Sequence, residues 1–276
     1  MSDVREVQMK ILETMKFIDD VCRKNNIVYY IMGGTALGAI RHGGFIPWDD
    51  DLDIFMTPQE YTKFKKIVLS LNSEKFVLQE WKTVEKYVEY AKIRMNGTTF
   101  IEECFKDRKD MHHGIYVDIM ILHKVPNSKF QQKLNYYASK FVTLYGISQR
   151  NWIPKTKMQG IILTMTKLLP RQLIAKWCYS RIYKYDDMLS NFKYCYWITP
   201  AKFKQGLFAQ EFFEEPVNIQ FEDTLLYGSK YIKEYLSYRY GDYLKLPSES
   251  QQTASVHAMI FDTEKDYKEY FSNKCI

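Results

Sequence analysis

Four carboxylates crowd into five positions at Asp49-Asp50-Asp51-Leu52-Asp53, sixteen residues after a Gly33-Gly34-Thr35 turn. At about 4 Å, two like charges repel by about 1 kcal/mol in bulk water and about 4 kcal/mol at an effective dielectric near 20. A folded site holds such a cluster dry only if cations neutralise it. Aspartate oxygens combined with a substrate phosphate form the usual environment of Mg²⁺. The chemistry to expect is therefore magnesium-dependent handling of phosphate. An extended strand would turn Asp49, Asp51 and Asp53 to one face.

Further groups can serve the same chemistry. Asp118 is the only charge in the apolar run Ile115–Ile121. A third carboxylate on a neighbouring strand suits two-metal phosphoryl chemistry, as a ligand or as acceptor of the proton from an attacking hydroxyl. Lys92 and Arg94 alternate along a strand, so both can face phosphates or solvent. Arg41 closes the short helix after the glycines, where a structural C-terminal charge is the alternative. Trp48 either packs as core or bounds the site. His113 and His257 stand alone, with structural and substrate-binding readings both open; neither is read as a ligand, since Mg²⁺ prefers oxygen.

The elements that would position these groups follow from periodicity. Val4, Val7, Ile11, Leu12, Met15, Ile18 and Val21 predict a helix over about 3–24. Ile27–Met32 is β-branched and aromatic and predicts a buried strand ending at Gly33. Thr35 is expected to cap a helix running to about Arg41, whose exposed N–H groups would bind an anion. Gly43-Gly44 ends it, and Pro47 leads into a strand at about 51–56. Pro58 opens a helix to about Leu71. Strands are expected near 76–81, 87–95, 98–102 and 115–121, and helices over about 128–147 and 155–190, broken around Asn151–Pro154 and Pro170. The order predicts an α/β (α+β) fold with a mixed sheet.

The chain has 276 residues and a net charge of +6, unevenly spread. Between Ile119 and Tyr185 lie twelve Lys/Arg and no Asp or Glu, leaving 27 basic and 33 acidic residues elsewhere. A solvated basic face, an anionic membrane surface and nucleic acid would each account for this segment. No nucleic-acid motif accompanies it, so no nucleic-acid partner is expected. Ile161, Ile162, Leu163, Met165, Leu168 and Leu169 among Lys155, Lys157, Lys167, Arg171 and Lys176 fit an interfacial helix or ordinary core packing. Five scattered cysteines (Cys22, Cys104, Cys178, Cys195, Cys275) without a CxxC pair indicate a reducing compartment. The charged N-terminus predicts no signal peptide, and no apolar run approaches the ~20 residues of a membrane span. The expected location is cytoplasmic, with peripheral contact at the inner face of the plasma membrane as the reading that the basic segment adds.

The block Gly33–Ile54 (GGTALGAIRHGGFIPWDDDLDI) resembles the signature of the LicD family, a branch of the polymerase β-like nucleotidyltransferase fold that includes the fukutin proteins. Lys92-Ile93-Arg94, Thr98–Glu103, His113–Ile119, Tyr240–Pro247 and His257 extend the resemblance over about 5–260. The chain departs from the family where Leu226-Tyr227-Gly228-Ser229 replaces a proline-containing stretch. The resemblance implies a catalytic core over 1–123, a basic helical insertion over 124–190, and a part at 191–276 that completes the catalytic domain. It implies transfer of a phospho-alcohol, phosphocholine first among them, from a CDP-linked donor to a hydroxyl of a glycan or its lipid-linked precursor, with release of CMP. Asp51, Asp53 and Asp118 would hold two Mg²⁺ (or Mn²⁺) ions. Asp49 matches a further acidic position, and Gly33, Gly34 and Thr35 would approach the donor phosphates. If choline is carried, an aromatic cage is expected, although 44 aromatic residues leave no one cage distinguishable. Attachment of AMP or CMP to a small acceptor, or a non-catalytic membrane-surface adaptor, are the alternatives.

Overall fold

The computed structural model describes residues 4–82, 84–148, 160, 164, 171–199, 201–248 and 257–272. In chain order the elements are α1 (Val4–Lys24), β1 (Tyr30–Ile31), α2 (Gly33–His42), β2 (Asp53–Met56), α3 (Pro58–Leu71), β3 (Phe76–Trp81), β4 (Tyr90–Met95), β5 (Thr99–Glu102) and β6 (Tyr116–Ile121). Then come β7 (His123–Pro126), α4 (Lys129–Ser148), α5 (Arg171–Ile182), β8 (Phe192–Cys195), β9 (Leu207–Phe208), β10 (Pro216–Phe221), β11 (Thr224–Ser229), α6 (Ile232–Tyr240), β12 (Ala258–Asp262) and α7 (Tyr267–Ser272). This is an α+β, nucleotidyltransferase-like fold. Among the described residues no helix is long and apolar enough to cross a membrane.

The chain divides into two compact units. The first comprises residues 1–80, 90–120 and 211–276. Its sheet runs in the order β1-β2-β6-β4-β3. β6 is the central strand, and its near-continuous apolar run is buried as a strand covered on both faces must be. β4 and β6 are antiparallel, with Lys92 opposite Asp118 and Arg94 opposite Tyr116. β12 pairs with β5, and β10 with β11 as a hairpin. α1 buries Val7, Ile11, Leu12, Met15, Ile18 and Val21, the stripe its periodicity predicts. At α3 the Thr57 side chain accepts from the Glu60 N–H and Pro58 occupies the first turn.

The second unit comprises residues 81–89 and 121–210. β7, β8 and β9 form its sheet. α4 and α5 pack through Ala138, Val142, Cys178, Tyr179 and Ile182. A buried pair holds β7: His123 Nδ1 donates to Asp186 Oδ2 at 2.9 Å, and the Lys124 N–H donates to Asp186 Oδ1 at 2.8 Å. Residues 151–159, 161–163 and 165–170, with the expected interfacial positions Lys155, Lys157, Ile161, Ile162, Leu163, Met165, Lys167, Leu168 and Leu169, lie outside the described residues.

Two local expectations are corrected. Helix α2 begins at Gly33, with extended Met32 preceding it and no side-chain cap. Thr35 therefore does not cap; its Oγ1 accepts the Asp53 N–H at 2.8 Å. The acidic strand begins only at Asp53, so Asp49–Asp51 form a loop and strand alternation does not order their side chains. Long-range bonds hold that loop. Buried Gln8 on α1 donates Nε2 to the carbonyls of Ile46 and Asp49.

Candidate active site

The acidic loop, the start of α2 and the facing strands β2, β6 and β4 bring the sequence-predicted carboxylates together. Gly33 takes φ +54, a left-handed conformation that glycine adopts without a Cβ penalty. Its N–H donates to the Tyr235 hydroxyl at 3.1 Å. A Cβ at Gly33 would reach Asp53 Oδ2 and the Tyr240 hydroxyl at 3.8 Å, and one at Gly34 would sit 3.0 Å from Asp49 Oδ2. The glycines thus let the helix N-terminus, with its partial positive charge, approach two carboxylates.

Asp53 enters β2 with Oδ1 buried and without a hydrogen-bond partner. Asp118 projects from β6 beside Lys92, whose Nζ lies 3.2 Å from Oδ1 and 3.3 Å from Oδ2. Only the contact to Oδ2 has hydrogen-bond geometry, so Asp118 Oδ1 is likewise unbonded and relies on the ion pair alone. Lys92 also reaches Glu102 at 3.3 Å and lies over the Tyr116 ring. It is one buried cation serving two acids.

The cluster resists ionisation. Burial and the neighbouring charge of Asp51 push Asp49 up to about 8, and Asp49 shares a hydrogen bond with Asp51. Burial likewise raises Asp51. Burial, Asp51 and Asp118 raise Asp53 well above the usual carboxylate range. Burial, Glu102 and Asp51 bring Asp118 to about 6 against the opposing pull of Lys92. Burial works against Glu102 as well, but Lys92 and Arg94 outweigh it and leave that carboxyl lowered. A divalent cation would relieve the repulsion and occupy the unbonded oxygens of Asp53 and Asp118, so the donor set fits a hard, oxygen-seeking metal.

Asp49, Asp50 and His257 also bring one potential ligand atom each within 4.8 Å of one another. The Asp50 carboxylate is already committed: it accepts from the His257 N–H at 2.8 Å, from Nδ1 of the same imidazole at 2.8 Å, and from the Ala258 N–H at 3.0 Å. That trio is a latch joining the acidic loop to the start of β12. His257 lies 3.7 Å from Asp51 Oδ2. Its hydrogen bond to Asp50, with the charges of Asp51 and Asp49, raises it to about 9 despite burial.

Beside the carboxylates opens a cleft of about 520 Å³, lined among others by Gly34, Arg41, Trp48, Asp49, Tyr240, Asp242, Tyr243 and Lys245. That size suits a small-molecule ligand. Arg41 is held at its wall by donating Nη1 to the Tyr243 carbonyl at 3.2 Å. Two predicted residues are engaged elsewhere. Arg94, fully buried, donates to Gln79 Oε1 and the Gly114 carbonyl. His113 donates Nε2 to the Arg108 carbonyl and packs between Tyr267 and Phe271. Both brace the strands rather than face the cleft. Glu102, Tyr240, Tyr243 and Lys245 lie within the motifs of the sequence analysis without a role there; only the fold brings them beside Asp49 or Lys92.

An α+β sheet edged by clustered carboxylates, with a glycine-opened helix above them, defines a nucleotidyltransferase-like core. Residues 26–143 match the LicD/FKTN/FKRP nucleotidyltransferase domain. It is similar to the lipopolysaccharide cholinephosphotransferase LicD of Haemophilus influenzae, 27% identical over 253 residues, which is 90% of this chain and 94% of the relative. An uncharacterized protein of Rickettsia prowazekii is 29% identical over 144 residues, about half of each chain. The human ribitol 5-phosphate transferase FKRP is 43% identical over 42 residues, 15% of this chain and 8% of that protein.

Proposed function

We propose that this protein transfers a phospho-alcohol, phosphocholine first among the candidates, from a CDP-linked donor to a hydroxyl of a glycan or lipid-linked glycan, releasing CMP. The observation that carries this reading is the pair of buried, unbonded oxygens on Asp118 and on Asp53, the latter beside the N-terminus of α2. The near full-length similarity to a cholinephosphotransferase supports the choice of alcohol.

Asp51, Asp53 and Asp118 would hold Mg²⁺. When bound, the metal would neutralise charge on the transferred phosphoryl group and the departing CMP. The chain's own groups supply the remainder. Gly33 and Gly34 keep the helix terminus open to the donor phosphates, and Arg41 and Lys245 bring positive charge to the cleft wall. Trp48, Tyr240 and Tyr243 offer faces for a base or a quaternary ammonium group. Lys92 fixes the Asp118 carboxylate in place. The acceptor hydroxyl attacks the distal phosphorus, the bond from that phosphorus to the CMP oxygen breaks, and the hydroxyl proton passes to a carboxylate of the cluster.

Attachment of AMP or CMP to a small acceptor would use the same carboxylates but attack the phosphorus next to the nucleoside. Incubation with CDP-choline, CDP-ribitol, CDP-glycerol, ATP and CTP in the presence of Mg²⁺ separates the two. CMP released from a CDP-alcohol is the expected result; pyrophosphate released from a triphosphate, with no CMP from any CDP-alcohol, would overturn the proposal.

A further inference from the structure

The second unit, residues 81–89 and 121–210, contains seventeen Lys/Arg and four Asp/Glu. Of those four acids, Glu89 and Asp186 are buried. Glu89 accepts from the Tyr179 hydroxyl, and Asp186 from His123 and Lys124. Among the described residues of this unit, eight lysines are exposed against two exposed acids, Glu85 and Asp187.

Helix α5 has an inner face, where Ala175, Cys178, Tyr179 and Ile182 are buried. On the opposite face Leu173 is 71% exposed and Trp177 55% exposed, with exposed Lys176 between them. Spacings of three and four residues place these three side chains on one stripe. α4 repeats the composition, with Phe130, Lys133 and Tyr137 exposed at the same kind of spacing.

A soluble helix face is expected to be polar, and large apolar side chains set among lysines on it need an explanation. Anionic polymers would use the lysines but gain little from Leu173. An anionic lipid surface uses both: the indole and the leucine enter the headgroup boundary, while lysine stems lie along the apolar layer and their ammonium groups meet lipid phosphates. We propose that the outer stripe of α5, supported by that of α4, docks the protein on an anionic lipid bilayer. This inference is independent of the transfer reaction.

The test is co-sedimentation of the full-length protein with vesicles of phosphatidylcholine alone or of phosphatidylcholine with phosphatidylglycerol, across a salt series. Binding is expected to anionic vesicles only and to weaken with salt. Lys176→Glu should weaken it by about fivefold or more. A Leu173→Ser, Trp177→Ser double variant should do the same with an unchanged circular dichroism spectrum. Lys176→Glu keeps the test decisive if the double variant misfolds. No binding at low salt, equal binding to both vesicles, or variants that bind like the parent would overturn the proposal. So would an RNA oligonucleotide or a second copy of the chain whose binding, and not that of vesicles, is lost in the variants.

Discussion

Lys92 and Asp118 stand opposite each other on adjacent antiparallel strands, and the lysine Nζ lies within 3.3 Å of both carboxylate oxygens. Yet Lys92 is shared between buried Asp118 and half-buried Glu102. Replacing Lys92 with Met takes the ion pair from buried Asp118 and leaves half-buried Glu102 only the charge of Arg94. The expected cost without metal is about 3–5 kcal/mol, the usual penalty for removing one partner of a buried pair. Part of it should return on adding Mg²⁺, read as a larger metal-induced rise in melting temperature than in the parent.

Asp53→Asn should act in the opposite direction on stability. It removes a carboxyl that burial and its neighbours force away from ionisation, so without metal the variant should melt no lower than the parent. Its Mg²⁺-induced stabilisation and transferase activity should both be lost, the latter by more than the about 10–100-fold typical of outer-shell partners. A variant that melts lower yet keeps its Mg²⁺ response would remove Asp53 from the metal site.

The same acids set a pH dependence. Asp49 and Asp118, raised to about 8 and about 6, hold protons more tightly folded than unfolded. Above about pH 4 the unfolded carboxyls are ionised, so metal-free stability falls as pH rises through about 6 towards about 8. His257, raised to about 9, contributes stability that is full below about pH 6.5 and lost as pH rises through about 9. Thermal melts without metal should therefore show a falling melting temperature from about pH 5.5 to about 8.5, and Mg²⁺ should stabilise more at the upper end. A flat profile would contradict the burial of these acids.

Asp50 and His257 make a latch that can be opened while Asp51, Asp53 and Asp118 keep their side chains. Asp50→Ala leaves the His257 and Ala258 N–H groups without their acceptor and the imidazole with only the more distant Asp51, at an expected cost of about 2–4 kcal/mol. Hydrogen exchange should locate the loosening in the acidic loop and at the start of β12, with α3 unaffected.

What the sequence revealed of this site divides along chain distance. Thr57-Pro58 announces α3 because cap and first turn are local chemistry, and the β6 run is legible because a strand covered on both faces is apolar throughout. The loop at Asp49–Asp51 is not legible. It is held by Gln8, 41 residues before Asp49, and by His257, 207 residues after Asp50. Thr35 looks like a cap by position, but a backbone N–H eighteen residues later claims its hydroxyl. The cleft wall depends on Arg41 meeting Tyr243, 202 residues away, which no local pattern encodes. The carboxylates themselves were legible because so many charges in so few positions have few folded uses.

The most direct test of the proposed transfer is product analysis with CDP-choline, Mg²⁺ and a glycan acceptor, comparing the parent chain with Asp53→Asn and Asp118→Asn. The proposal predicts CMP and a phosphocholine-bearing acceptor from the parent, and neither product from the two folded variants. CMP formed equally by all three proteins, or no CMP from any CDP-alcohol while a triphosphate yields pyrophosphate, would contradict it.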